Sequence, residues 1–290
     1  MVLFCSPPPH QWRWIYLPFL LCVAVPAAAD DLSVIPYLPN FVSADYGIDS
    51  DDGDNLFLFA NLRLVARQRL SLGYGRYEDT VSGSREELDS TTYLLGYSYR
   101  SQRQIQYGAE YEYWGDSDRI TTDTLSVYVS MNMKSWSLSV TPQIRRIDVY
   151  SDTNCGGSID NSAVALDVSY YANTNWSVGG GYTSYDYHDY DELLNCDDLD
   201  ENALIVSRLQ TVADDNQWSI SADYFFDTES VGMNWLRNES AIDGSLTKVI
   251  SLYVTTDRFS DWTITLTMGR QENLDNTTTE FLNGTVGYYW

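Results

Sequence analysis

The sequence predicts an all-β protein, an antiparallel up-and-down transmembrane β-barrel of about 14 strands, within a range of about 12 to 16. Three observations favour this fold. Apolar and polar residues alternate with a period of two along much of the chain. Short polar turns and longer acidic segments separate the alternating runs. After the first 29 residues, no apolar run has the length of a membrane helix, so a chain that spans a membrane must do so with strands.

The first 29 residues are typical of a secretory signal peptide. Arg13 precedes an apolar stretch, residues 14–25, and three alanines follow at 27–29. The stretch is about a dozen residues long, which is too short for the roughly 20 residues of a membrane-spanning helix. We therefore expect residues 1–29 to be removed and residues 30–290 to form one domain, a barrel with long acidic external loops.

The composition argues against several classes of protein. The 290 residues carry a formal net charge of -24 and include 23 Tyr, 9 Trp and 9 Phe, and the mean hydropathy is -0.30. This combination fits neither a disordered chain nor an ordinary soluble helical protein. The sequence has no glycine-rich phosphate loop, basic patch or Cys-His array. We therefore expect no cofactor, no metal site and no nucleic-acid partner.

Alternating strands recur along the chain. In the clearest one, Gln104–Tyr113, apolar or aromatic residues alternate without a break against Gln, Glu and Gly. Four more strands open on Trp136, Trp176, Trp218 and Trp262, each after a short polar turn, such as residues 214–217. The other predicted strands are residues 56–64, 70–77, 92–100, 125–132, 163–171, 203–212 and 246–256.

The strand count between Leu56 and Trp290 is 13. An even number places both chain ends on one side, so we predict another strand near Asn40–Ile48 and 14 in total. Long acidic connections of about ten to twenty residues alternate with the short turns, as in bacterial barrels. These connections are residues 78–89, 115–123, 151–161, 188–202 and 227–244, and residues 231–236 within the last either extend a strand or fold into the lumen.

Barrel size decides which face meets lipid. Eight strands enclose just enough space for side chains, whereas about 14 enclose a lumen that no apolar layer can fill. The apolar faces should therefore point outward, and the faces rich in Ser, Thr and Gly should line a hydrated interior. The strand-opening tryptophans should form a turn-side aromatic girdle. A loop-side girdle is predicted from Tyr111, Tyr113, Trp114, Tyr150, Tyr185 and Tyr187. The alternative fold is a secreted, soluble β-sandwich, which would alternate equally well.

The last strand resembles that of a known family. Its apolar face consists of Leu282, Gly284, Val286, Tyr288 and Trp290. A terminal strand that ends on an aromatic residue resembles those of porin-like outer-membrane β-barrel proteins of Gram-negative bacteria. In that resemblance, Tyr288 and Trp290 are the signal for the barrel-assembly machinery, whereas the usual glycine is displaced, since Gly284 and Gly287 bracket its place. The resemblance implies an outer-membrane location, with membrane lipid, lipopolysaccharide and the assembly machinery as partners.

The leading functional hypothesis is a passive, cation-preferring channel for small solutes. Charged residues that line a lumen set its ion preference, and acidic loops raise the local concentration of cations. The predicted channel-lining residues are Arg63, Glu110, Glu112, Arg145, Asp167 and Asp223. An equally simple interpretation of the loop acids is a solvated surface that divalent cations bridge to lipopolysaccharide.

One alternative is an outer-membrane hydrolase. His188 is the only histidine after the signal peptide, Asp186 precedes it by two residues, and Asp116 and Asp118 lie in another predicted loop. This arrangement resembles the Asp-His pair and the Asp pair of omptin proteases, in which a carboxylate-oriented histidine activates water. The catalytic residues would then be Asp186, His188, Asp116 and Asp118.

A second alternative is a non-conducting barrel that binds a surface partner through its loops. The mature chain has two cysteines, Cys155 and Cys196, each in a polar segment between strands. In an oxidising compartment we expect them to form a disulfide that joins two loops. Such a disulfide would stiffen a binding surface as well as it would stiffen the mouth of a channel.

Overall fold

Fourteen antiparallel strands form a closed barrel. The structure is a computed structural model that describes residues 39–50, 53–80, 87–101, 104–116, 120–150, 157–188, 213–272 and 277–290, without the side chains of residues 79, 80, 87, 88 and 188. The strands are β1 (Phe41–Asp49), β2 (Asp54–Val65), β3 (Gln68–Thr80), β4 (Glu87–Arg100), β5 (Ile105–Asp116), β6 (Ile120–Asn132), β7 (Trp136–Val149), β8 (Gly157–Tyr171), β9 (Trp176–His188), β10 (Asp214–Phe225), β11 (Glu229–Ser240), β12 (Leu246–Phe259), β13 (Trp262–Glu272) and β14 (Thr278–Tyr289).

Each strand pairs with its neighbours in sequence, and β1 pairs with β14 to close the ring. The closing register runs from Phe41↔Tyr289 to Asp49↔Phe281. Beyond it, the Asn40 N–H donates to the Trp290 carbonyl oxygen at 3.0 Å. The Trp290 N–H donates to the Asn40 carbonyl oxygen at 3.2 Å. The predicted up-and-down barrel, including the strand near Asn40–Ile48, is confirmed.

The barrel has a turn end and a loop end. The turn end holds Asn40, Trp290 and the connections 66–67, 101–104, 133–135, 172–175, 226–228 and 260–261. The connections at the loop end are residues 50–53, 81–86, 117–119, 150–156, 189–213, 241–245 and 273–277. Most of these are shorter than the predicted acidic segments, because the strands continue through residues that the sequence assigned to loops. On β8, for example, residues 157–161 belong to the strand although the sequence assigned them to a loop. Above the lipid on β7, Arg146 and Asp148 form an outward ion pair at 3.0 Å.

One predicted strand and one predicted turn need correction. Residues 214–217 belong to β10 and are not a turn, and Trp218 therefore lies on a strand that descends from the loop end. The predicted strand 203–212 lies outside the described residues, and β9 pairs directly with β10. The strand that brings the total to 14 is β11, which lies in a segment that the sequence assigned mainly to a loop. The total of 14 is correct, but its members differ.

The outward faces are apolar across the middle of the barrel. On β7, Trp136, Leu138 and Ile144 point away from the lumen and are exposed, as are Leu266 and Met268 on β13. A soluble monomer rarely exposes so much contiguous apolar surface, so this belt is the lipid-facing side. Within the described part of the chain, no helix has the length and hydropathy needed to cross a membrane.

Aromatic pairs mark the turn end of the belt, as predicted. Trp136 packs on Tyr170 with ring centroids 4.5 Å apart. Trp262 packs on Tyr288 at 4.7 Å. Trp218 is the exception, because it packs on Tyr182 at 4.4 Å nearer the loop end.

Candidate functional site

Acidic side chains project into the lumen from strands all around the ring. The inward faces of the strands carry Asp45 on β1, Glu110 and Glu112 on β5, Asp167 on β8, and Asp214 and Asp223 on β10. All but Asp214 alternate with outward residues, since a strand places successive side chains on opposite faces. The structure thus puts the predicted Glu110, Glu112, Asp167 and Asp223 on the inner wall, together with the predicted Arg145 and Arg63.

Two of these acids were missed by the sequence analysis. Asp214 was assigned to a turn, whereas a shift in strand register between Asp214 and Asn216 leaves its side chain buried inside the barrel. Asp45 belongs to β1, the least distinct strand in the sequence. The signal for Asp45 was its position between the outward residues Ala44 and Tyr46.

Arg145 is the centre of a charged group in the loop-end part of the lumen. Its Nε donates to Thr124 Oγ1 at 3.1 Å, and its guanidinium carbon lies 5.3 Å from the centroid of the Tyr185 ring. Arg145 also interacts electrostatically with Glu112 and with Asp214. One guanidinium thus faces two carboxylates, and Glu110 adds a third beside Glu112.

Several lumen carboxylate oxygens have no protein donor. Among the described residues, Glu112 Oε2, Asp214 Oδ2, Asp167 Oδ2 and Asp45 Oδ1 are buried without a hydrogen-bond partner. Buried carboxylate oxygens ordinarily have partners, so water or a cation from the lumen is the natural complement here. Asp223 differs, because it accepts hydrogen bonds from Ser177 Oγ at 2.7 Å and from the Tyr253 hydroxyl.

Basic side chains are concentrated at the turn end of the inner wall, on β2 to β4. Arg63 lies opposite Arg69 in the β2–β3 register, and Arg100 follows on β4. The Arg69 Nη2 donates to the Pro39 carbonyl oxygen at 2.8 Å, and the Arg63 backbone N–H donates to Asn40 Oδ1 at 2.8 Å. These contacts attach the segment before β1 to the wall. The predicted lumen residue Arg63 therefore lies near the turn-end opening and not among the carboxylates.

An apolar cluster inside the barrel at the loop end was not predicted. Its buried members, which we call the collar, are Trp114, Ile120, Ile147, Val149, Ile159 and Ala213. Tyr187, Ala241 and Ile242 pack against the collar. Trp114, Tyr185 and Tyr187 were predicted in the outward loop-side girdle, but they point into the barrel. Tyr111 and Tyr150 are exposed, in keeping with that girdle.

The sequence contained a signal for the collar. On β7 the apolar face is outward from Trp136 to Ile144, and then the pattern inverts, with Arg146 outward and Ile147 inward. The outward apolar run covers about the nine to eleven residues that a tilted strand needs to cross a bilayer. Above the bilayer, an outward apolar residue faces water and is not stabilised by contact with lipid. The apolar residues can therefore lie on the inner face there.

The residues of the hydrolase hypothesis are only partly described. Asp116 is buried on the inner face of β5, and Asp186 is exposed on the outer face of β9. The two carboxylates thus lie on opposite sides of the wall and four strands apart. Asp118 and the His188 side chain lie outside the described residues. Among the residues that are described, no group of three or more His, Cys, Asp or Glu side chains could hold a metal ion.

The remaining predicted residues are the two cysteines, the two aromatic residues at the end of the last strand and the signal peptide. Cys155 and Cys196 are outside the described residues, so their disulfide stays a prediction. Tyr288 and Trp290 lie on the outer surface at the turn end, with their rings stacked at 6.0 Å and 15°. The predicted signal peptide, residues 1–29, is likewise outside the described residues.

Comparison with known proteins gives likenesses of fold only. No family model and no curated protein matches the sequence. Among solved structures, the CymD monoaromatic hydrocarbon channel is similar with a TM-score of 0.56 and 8% identity, over 88% of this chain and 89% of that chain. A Pseudomonas aeruginosa FadL homologue is similar with a TM-score of 0.52 and 9% identity, over 89% and 91%. The Pseudomonas aeruginosa outer membrane protein opdK has a TM-score of 0.45 and 10% identity, over 86% and 97%.

The first two likenesses agree with the closed ring of 14 antiparallel strands. The chain has the fold of a porin-like outer-membrane β-barrel protein.

Proposed function

We propose that the chain is a passive channel in the bacterial outer membrane, which passes small solutes and favours cations over anions. The single observation that carries this proposal is the distribution of inward carboxylates, which come from four different strands around the ring. A cation that moves along the lumen would meet acidic groups on all sides. An anion would meet the same groups as repulsive charges.

The balance of charge along the lumen supports the direction of selectivity. The acidic side chains that face the interior are Asp116 and the set given above from Asp45 to Asp223, whereas the inward basic side chains are Arg145 among them and Arg63, Arg69 and Arg100 at the turn end. Arg145 is held by Thr124, Tyr185 and its electrostatic partners. Its charge thus already has carboxylate partners, and the acidic side chains of this region outnumber it. The CymD protein, which is similar in fold, is a monoaromatic hydrocarbon channel, and a channel role is the simplest one for this fold.

We also propose the membrane partners, on the basis of the residues that lie on the outer surface. Tyr288 and Trp290 lie at the turn end of the last strand, on the outer surface, where an assembly factor can reach them during insertion. The apolar belt contacts lipid, and the charged residues above it on β7 lie at the level of headgroups. We propose lipopolysaccharide as the lipid that borders the loop end.

The test is the ion selectivity of the refolded protein in a planar bilayer. In a KCl gradient, we expect a reversal potential whose sign shows that K⁺ is more permeant than Cl⁻. The Glu110→Gln/Glu112→Gln variant should lower the permeability ratio of K⁺ to Cl⁻, because it removes two lumen charges at constant side-chain size.

Glu280→Gln is the matched control. Glu280 is exposed on the outer face of β14, so this substitution changes the net charge without changing the lumen. If both variants alter selectivity by the same amount, the lumen carboxylates do not set it.

A further inference from the structure

The collar lies across the loop-end opening of the barrel. Its members come from β5, β6, β7 and β8 and from Ala213, which precedes β10. The residues that pack against it, Ala241 and Ile242, belong to the connection between β11 and β12. β5 and β11 are six steps apart in the ring of 14 strands, which is close to opposite. The apolar contact thus extends from one side of the mouth towards the other.

The connection that reaches the collar is a compact turn. The Ser240 N–H donates to the Ser245 carbonyl oxygen at 2.9 Å, and the Gly244 N–H donates to the Ser240 carbonyl oxygen at 3.0 Å. Gly244 has a φ of 67°, a left-handed conformation that glycine adopts at little cost. The Ala241 N–H donates to the Ala213 carbonyl oxygen at 2.7 Å. These bonds hold Ile242 against the collar.

Charged groups lie directly below the collar. Trp114 is two residues from Glu112 on β5, Ile147 is two residues from Arg145 on β7, and Ala213 adjoins Asp214. Two residues of strand cover about 6.6 Å. A solute that enters from the loop end therefore meets the apolar side chains of the collar first and the charged layer about 6.6 Å further in.

The two layers make opposite demands on a hydrated inorganic cation. At the collar, K⁺ must give up water, and the apolar side chains offer it no oxygen ligands; the Asp116 carboxylate, which faces inward opposite Ile120, is buried and replaces only part of that water. An organic cation with an apolar group satisfies both layers. Its apolar group contacts the isoleucines, and its ammonium group reaches the carboxylates. The rings of Trp114 and Tyr185 add faces that attract a cation.

We infer that the collar and the carboxylates beneath it select small organic cations that carry an apolar group. This inference rests on the proposed channel function and narrows its solute class. The collar is the barrier that keeps the passage of inorganic ions slow. The isoleucine side chains are the specificity-determining groups of the loop end.

The experiment measures permeability in planar bilayers with two chloride salts, benzylammonium on one side and potassium on the other. For the wild-type protein we expect benzylammonium to be the more permeant ion. In Ile147→Ser/Ile159→Ser the K⁺ conductance should rise about tenfold, which corresponds to about 1.4 kcal/mol of barrier. The preference should then reverse, because K⁺ diffuses faster once the apolar layer is broken. Ile242→Ser changes the turn alone. It should also raise the K⁺ conductance and weaken the preference for benzylammonium over K⁺.

Ile144→Ser is the matched control, since Ile144 lies on β7 three residues before Ile147 but faces lipid and is 59% exposed. It should leave both quantities unchanged. Heat-modifiable migration of each refolded variant verifies that the barrel has formed.

The failures of the two proposals are distinguishable. Suppose that K⁺ is the more permeant ion in the wild type and that Ile147→Ser/Ile159→Ser changes neither the K⁺ conductance nor the ion preference. The collar is then not a selectivity barrier, although the proposed channel function is not contradicted. If neither ion passes through the wild type or any collar variant, the channel function fails and the solute class fails with it.

Discussion

Three glycines on the inner wall lie beneath aromatic rings of the neighbouring strand, and one of them gives a sharp stability prediction. The in-register pairs are Gly108↔Tyr128, Gly232↔Tyr253 and Gly269↔Phe281. A Cβ added at Gly269 would lie 2.2 Å from Phe281 Cζ. Carbon atoms pack at about 3.5–4.0 Å, so the ring would have to move by at least about 1.3 Å. The Phe281 ring is buried against Val249 and Leu236, which limits that movement.

We therefore expect Gly269→Ala to destabilise the barrel by about 1–3 kcal/mol, the usual cost of overpacking. Gly284→Ala is the matched control, because Gly284 lies on the adjacent strand and an added Cβ there would meet nothing within 4 Å. Replacing this strand glycine by alanine should be neutral or stabilise by up to about 1 kcal/mol.

The assay is reversible urea unfolding in phospholipid vesicles, followed by tryptophan fluorescence. Gly269→Ala/Phe281→Leu should recover part of the loss, since the smaller side chain leaves room for the Cβ. Equal destabilisation by Gly269→Ala and Gly284→Ala would refute the reasoning, because the cost would then come from the backbone and not from the ring.

Further predictions concern single contacts. Tyr253→Phe removes a donor to Asp223 and should cost about 1–3 kcal/mol in the same unfolding assay; a loss no larger than that of Tyr150→Phe, at an exposed position, would count against it. Trp262→Ala removes the ring contact with Tyr288 and should cost at least about 0.5–1.5 kcal/mol; an unchanged midpoint would show that the turn-side girdle contributes nothing. The mature protein should show no free thiol when denatured without reductant, because Cys155 and Cys196 are predicted to form a disulfide; two reactive thiols would contradict that prediction.

The period-two pattern predicted most strands because lipid on one side and a polar lumen on the other impose opposite demands on alternate residues. On β14, every residue from Leu282 to Gly287 lies on the face that the alternation assigned to it. The pattern failed around β10 and β11. A polar stretch such as residues 214–217 has the composition of a turn, but above the lipid a strand can be polar on both faces.

The lumen carboxylates and the collar differ in how visible they are in a sequence. Glu110 and Glu112 could be predicted, because they alternate with outward aromatic residues on one uninterrupted strand. The collar could not be predicted from any one strand, since Ile120, Ile147 and Ile159 meet only after the sheet closes. Its local signal was the inversion at Arg146 and Ile147, which has meaning only when the height of the bilayer along β7 is known.

We propose that a lumen lined by carboxylates carries ions across the membrane, and the decisive measurement is single-channel recording of the wild-type protein in a KCl gradient. We expect discrete conductance steps whose reversal potential has the sign for a K⁺-selective pore. A correctly folded, heat-modifiable barrel that stays silent, or one whose reversal potential has the sign for Cl⁻, would contradict it.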